Sequence, residues 1–201
     1  MELWMIRHGL PVRIDGGAGP ADPSLAPEGI DQARRLAEHW GRHPLDAVWS
    51  SPQRRAFETA VPLAEATGNG IDADDRLREF DAHLDFYVPL EELREDEAAW
   101  KRMVAEWRSP EAEAQRRTFR ERVVGAIEEI STAHPEGRIA VVCHGGVINA
   151  YLSHVLGLEQ TIFFEPAYTS VSRVAVGARR AQLVSTNETP HLAGLVQPTR
   201  L

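Results

Sequence analysis

Two histidines and a pair of arginines occupy the ends of short apolar runs. In "MELWMIRHGLPV" the run Leu3 to Ile6 stops at Arg7 and His8, with Gly9 directly behind. The same order returns in "GRIAVVCHGGVINAYLSHVLGL", where His144 follows an apolar run and precedes two glycines. A third run, "LDAVWSS", leads through Pro52 into Arg54 and Arg55. Guanidinium groups match phosphate oxygens in shape as well as charge. A neutral imidazole is nucleophilic near neutral pH and attacks phosphorus without metal activation. Exposed amides at a helix start supply further donors to an anion. Taken singly, each residue also has a bland reading, a backbone-bonded histidine or a solvated arginine. The recurrence of apolar run, histidine, glycine and turn favours one shared anion pocket.

The elements that must position these groups follow from periodicity. Short apolar runs alternate with helical stripes, which calls for a mostly parallel sheet covered on both faces. The predicted fold class is α/β, a three-layer α/β/α sandwich with a small helical insertion. In such sheets the carboxyl ends of the strands gather along one edge, where ligands bind. "PEGIDQARRLAEHW" places Ile30, Ala33, Ala37 and Trp40 on one helical face. In "PQRRAFETAVPLAEATG" Ser51 is the expected N-cap, Pro52 the first helical residue, and Pro62 a kink. Trp100, Met103 and Trp107 form a stripe in the charged region before "RSPEAE", and a longer helix is expected from about Ala112 to Ala133. "SVSRVAV" and "RAQLVST" alternate as an edge hairpin would. The expected organisation is a single domain over 1–201, with 80–122 as a helical insertion beside the site. Phe80, His83, Phe86 and Tyr87 at its start either pin it to the sheet or stack on a ring.

Composition narrows the partners. The chain has 201 residues, 43% of them hydrophobic, with a formal net charge of -8, which argues against nucleic acid as partner. One cysteine, Cys143, excludes an intrachain disulfide. No apolar stretch approaches the roughly 20 residues that span a bilayer. The start of the chain carries acidic Glu2 and lacks the positive, then long apolar pattern of a signal peptide. A cytoplasmic chain with a small phosphorylated substrate and no membrane partner is expected, and no feature sets an oligomeric state. The histidines lack H-E-x-x-H spacing, and neither a phosphate-binding G-x-x-x-x-G-K-[ST] loop nor a G-x-S-x-G elbow is present. A cysteine phosphatase would need an arginine six positions after Cys143, where Asn149 stands. No metal and no cofactor are expected.

The combination "RHG" at 7–9, "SSPQRRAFETA" at 50–60 and "VVCHGGVINAYLSHVLG" at 141–157 resembles the histidine phosphatase superfamily, the phosphoglycerate-mutase-like proteins. Weaker likenesses are "GIDQA" at 29–33, "RLRE" at 76–79 and "STNETPHL" at 185–192. The resemblance implies a phosphomonoester hydrolase in which His8 is transiently phosphorylated. Arg7, Arg55 and His144 would hold the phosphoryl group, with Gly145 beside them. It selects Arg55 over Arg54 and implies that Glu79 is the proton donor, with Asp81 in reserve. A carboxyl near an apolar wall suits that task, since desolvation holds its proton near neutral pH. A phosphoglycerate-type mutase and a catalytically weak phosphate-binding domain of the same fold are the alternatives. Two positions depart from the pattern: Pro11 and Ile14 stand where the first loop commonly carries a hydroxyl residue and Asn. Arg13 and Arg54 are accessory candidates.

Overall fold

Strand β1 (Glu2–Arg7) is buried along almost its whole length, which explains why its sequence is an unbroken apolar run. In this computed structural model, which describes residues 1–89, 92–93, 97–98, 101, 105 and 109–194, five further strands join it. They are β2 (Ala47–Ser50), β3 (Ile71–Ala73), β4 (Arg138–Cys143), β5 (Val171–Val176) and β6 (Ala181–Glu188). Their order across the sheet is β3-β2-β4-β1-β5-β6. The first four in that order run parallel. The β5–β6 hairpin is added antiparallel at the edge, as its alternation predicts. β3 was not foreseen, because Ile71-Asp72-Ala73 offers no apolar run to read.

Helices α1 (Pro27–Trp40), α2 (Arg54–Thr67), α3 (Pro110–Ala133) and α4 (Gly145–Leu156) complete the layers. Side chains alternate across β1, so Leu3 and Met5 face one core and Trp4 and Ile6 the other. The first core holds Val123, Ile127, Ile148 and Leu152 from α3 and α4. The second holds Leu36, Trp40, Ala60 and Leu63 from α1 and α2. The sandwich is therefore three layers, as expected. Trp100, Met103 and Trp107 lie outside the described residues.

One expectation is corrected at the start of α2. Ser51 does not cap the helix and Pro52 is not its first residue. The helix begins at Arg54 after Gln53. The reason is strand pairing, since the Ser51 amide still donates to the Val142 carbonyl (2.9 Å), which keeps the chain extended there. Pro62 lies inside α2, which continues to Thr67.

The loop after β1 is pressed onto α1. A Cβ on Gly9 would lie 2.7 Å from the Gly29 carbonyl oxygen, and one on Gly29 would collide with the backbone of Leu10. These two glycines let the loop carrying His8 rest on the helix start. Gly29→Ala should therefore cost roughly 1–3 kcal/mol of stability in urea unfolding, as overpacking against backbone does. Gly125→Ala, in α3 with nothing within 4 Å of the new methyl, should instead stabilise by roughly 0.5–1 kcal/mol.

Candidate active site

Parallel register brings the strand-end residues together. β1 pairs with β4 so that Arg7 stands opposite Cys143. The next residue on each chain is a histidine, and the rings of His8 and His144 lie 5.1 Å apart. β2 pairs with the other side of β4 and delivers Arg55 from the first turn of α2. His8 Nδ1 is 2.7 Å from the Gly9 carbonyl oxygen. A carbonyl only accepts, so Nδ1 carries the ring proton and Nε2 keeps its lone pair. Arg55 Nε donates to that Nε2 at 3.3 Å. Arg7, His8, Arg55 and His144 are all buried, none more than 5% exposed.

The surroundings hold each group in place. Arg7 Nη1 donates to the Pro166 carbonyl (2.6 Å), and its guanidinium lies 3.9 Å from the centroid of the Tyr168 ring. The Tyr168 ring is also 5.8 Å from His8. Arg55 is covered by Tyr87 at 4.8 Å. Ser51 Oγ accepts from the Gln53 amide and sits 2.9 Å from His144 Nε2. Among the described residues, neither Arg55 Nη1 nor His144 Nδ1 meets a hydrogen-bond partner. A buried donor left in this way, as Arg55 Nη1 is, costs about 1–3 kcal/mol, a cost an oxyanion would remove.

Electrostatics separate the bases from the acid. Burial, then Arg55 and Arg7, holds the His8 pKa well below its ordinary value. Burial and the same cations, with His8, do likewise to His144. Both imidazoles are thus neutral near neutral pH, the state in which nitrogen can attack. Glu79 follows a 3-10 turn (Asp75–Leu77) and is fixed by its own backbone, whose amide donates to Gln53 Oε1 (2.7 Å). Its Oε2 accepts from the Gly146 amide (2.8 Å) and its Oε1 from the Phe80 amide (3.0 Å). Burial and the neighbouring Asp81 charge push its pKa up to about 7, against the pull of those amides and of Arg55. Burial also raises Asp81. A Cβ on Gly146 would collide with Glu79 Oε1, so the second glycine of "HGG" makes room for the carboxyl. Burial pushes the Cys143 thiol far up, which suits a packed side chain and no thiolate.

The remaining candidates divide. Gly145 lies beside Arg7, where a Cβ would stand 3.9 Å from Arg7 Nε. Arg13 pairs with Asp15 (2.5 Å) and Glu92 (2.8 Å) at the surface. Arg54 pairs with Glu58 (2.7 Å) and is likewise exposed. Neither joins the cluster. Pro11 bridges to Leu25, and Ile14 exchanges two backbone hydrogen bonds with Tyr87 (2.9 and 2.8 Å). The two departures in the first loop therefore serve strand-like pairing, and through Ile14 they steady the ring over Arg55. Phe80 packs edge-on against Phe119 at 5.9 Å, whereas Tyr87 of the same aromatic group lies over Arg55 and Phe86 is exposed. Sequence reasoning missed Ser51, Gln53, Thr59 and Tyr168. Thr59 Oγ1 accepts from the Gly9 amide (2.9 Å) and donates to the Arg55 carbonyl (2.7 Å), tying loop to helix. A hydroxyl one turn after Arg55 on the same helix is the signal that could have found it; Tyr168 had none.

Among the described residues, no group of three or more His, Cys, Asp or Glu side chains is arranged to hold a metal. Residues 3–189 match the histidine phosphatase superfamily (branch 1). The chain belongs to that superfamily. A glucosyl-3-phosphoglycerate phosphatase of Mycobacterium tuberculosis is 34% identical over 170 residues, covering 78% of this chain and 76% of that one. Phosphoserine phosphatase 1 of Hydrogenobacter thermophilus is 30% identical over 179 residues, 87% of this chain and 85% of its own. A solved mycobacterial glucosyl-3-phosphoglycerate phosphatase shares the fold with a TM-score of 0.73 at 24% identity, over 94% of this chain and 99% of that one.

The environment of Glu79 can be measured directly. A 13C titration of the Glu79 carboxyl should have its midpoint near 7. Asp81→Asn should lower that midpoint, because it removes a negative neighbour that opposes ionisation. A midpoint in the ordinary carboxylate range in both proteins would contradict the environment described.

Proposed function

We propose that this chain is a phosphomonoester hydrolase for small phosphorylated metabolites, working through a covalent phosphohistidine on His8. The observation that carries the reading is His8 Nε2. It is a lone-pair nitrogen held between Arg55 and the His144 ring, with an unpartnered donor on Arg55 and an unpartnered ring nitrogen on His144. The two relatives named above are phosphatases whose names specify small phosphate esters, which supports hydrolysis over transfer between positions of a sugar acid.

The steps follow from the placement. His8 Nε2 attacks phosphorus, forming the P–N bond as the ester P–O bond breaks. Arg7, Arg55 and His144 spread the charge of the equatorial oxygens, work that prearranged donors do without reorganising. Glu79 gives its proton to the leaving alkoxide. A water then attacks phosphorus while the Glu79 carboxylate takes its proton, the P–N bond breaks, and inorganic phosphate leaves with His8 neutral again. Tyr87 and the start of the 80–122 segment form the wall against which the rest of the substrate lies. Every step uses side chains of this chain, with no call on a metal. Among the described residues no helix is long and apolar enough to cross a membrane.

A panel of phosphomonoesters tests the activity. His8→Ala should abolish turnover of all of them. Glu79→Gln should lower turnover of an alkyl phosphate by about 10²–10⁴-fold, the usual worth of general acid catalysis, and that of an aryl phosphate far less. In the parent protein kcat/KM for the alkyl ester should decline as pH rises through about 7, since the acid must hold its proton, and Glu79→Gln should remove this limb. Equal loss on both esters would take the acid role from Glu79. Activity should survive a strong chelator, and loss restored by a divalent ion would point to a metal phosphatase instead. Quantitative return of the phosphoryl group to another hydroxyl of the substrate would make the chain a mutase.

A further inference from the structure

The late stretch "STNETPHL" is distant in sequence from the cluster, yet two of its residues grip backbone that contacts it. Arg7 Nη1 donates to the carbonyl of Pro166 (2.6 Å). The amide of the same peptide unit, Ala167 N–H, donates to Asn187 Oδ1 (2.6 Å). Asn187 thus holds one end of a peptide group and Arg7 the other. A second peptide group is held in the same manner. The Thr169 amide donates to the His8 carbonyl (3.3 Å), while the Tyr168 carbonyl accepts from Thr169 Oγ1 (2.8 Å). His191 Nε2 lies 3.0 Å from that hydroxyl, and Trp40 Nε1 donates to His191 Nδ1 (3.2 Å). An N–H can only donate, so Nδ1 is the acceptor and Nε2 carries the proton given to Thr169 Oγ1. Between the two peptide groups stands Tyr168, whose ring supports both Arg7 and His8.

The backbone itself is unusual here. Thr169 and Asn187 are the two non-glycine residues with positive φ among those described, at 54° and 56°. Such conformations persist where the surroundings over-determine them, and they gather at functional sites. We propose that Asn187 and His191 are positioning residues of the active site, which orient Arg7 and His8 through peptide groups 166–167 and 168–169. They touch no substrate. Their effect is to fix the rotation of two peptide planes, and so the angle at which the Arg7 fork and the His8 ring meet a phosphoryl group. The inference rests on the hydrolase reading above and extends it to residues outside the cluster.

Four variants and two readouts test it. Asn187→Gly keeps the backbone free to adopt positive φ but deletes the acceptor, while Asn187→Asp keeps an acceptor. His191→Leu deletes the donor to Thr169, while His191→Gln keeps one. The readouts are steady-state kinetics on an aryl phosphate and the affinity for orthovanadate by calorimetry, with thermal unfolding as control. Vanadate imitates the five-coordinate transition state, so it senses the alignment that KM does not. Asn187→Gly and His191→Leu should each lower kcat and weaken vanadate binding by about tenfold or more, with a smaller change in KM, as expected of sub-ångström misplacement. Asn187→Asp and His191→Gln should recover most of the loss. Variants that lose thermal stability yet keep kcat and vanadate affinity would overturn the proposal, as would conservative variants that recover nothing. A parent protein that neither hydrolyses phosphomonoesters nor binds vanadate would instead remove the hydrolase reading, and this one with it.

Discussion

The pairing of β1 with β4, Arg7 opposite Cys143, is the contact on which the rest depends. Parallel neighbours end at the same edge of the sheet, so a shared register makes the next residue of each strand a neighbour of the other. Here both next residues are histidines. A slip of one residue would turn every β1 side chain to the opposite core, exchanging Leu3 and Met5 for Trp4 and Ile6. The two apolar cores on either face therefore lock the distance between His8 and His144. The geometry of the cluster is thus held by packing far from it.

Once assembled, the cluster is electrostatically unbalanced. Two guanidinium groups and two imidazoles are buried together, and their mutual repulsion and desolvation keep both imidazoles neutral. Arg7 gives part of its charge to a carbonyl and an aromatic face, and Arg55 gives part to Tyr87. A phosphate dianion placed there would supply the missing counter-charge. Glu79 lies at the other extreme. It receives two backbone amides, yet burial and Asp81 outweigh them and hold its proton near neutral pH. One pocket thus holds neutral imidazoles beside a carboxyl whose pKa is raised to about 7, the pairing that the proposed transfer to and from an ester oxygen uses.

The sheet and the cluster were legible in different ways. β1 and β4 announce themselves because strands buried on both faces must be continuously apolar, and a polar residue marks where they stop. The edge hairpin announces itself by alternation. β3, three residues with no continuous apolar run, gives no such sign, and Ser51 reads as a helix cap because the β-pairing of its amide is a tertiary fact. Arg54 and Arg55 are adjacent on a helix, about 100° apart, so one must point away from the sheet. Local sequence does not say which, and the superfamily resemblance did. Gln53 and Asn187 contact backbone amides distant in sequence, and Tyr168 meets Arg7 and His8 through its ring; no local pattern encodes such contacts. Pro11 and Ile14 looked like lost phosphate contacts, whereas each takes part in a backbone bridge.

The central claim is that His8 becomes covalently phosphorylated, and a rapid-quench experiment addresses it directly. The protein is mixed for milliseconds with a 32P-labelled phosphomonoester, quenched in base, digested and mapped by mass spectrometry. The account predicts stoichiometric label on the peptide carrying His8, stable in base and lost in acid, as for phosphorus on nitrogen, and chased into inorganic phosphate by unlabelled substrate. Turnover with no label on that peptide, or label on another residue that is chased at the catalytic rate, would contradict it.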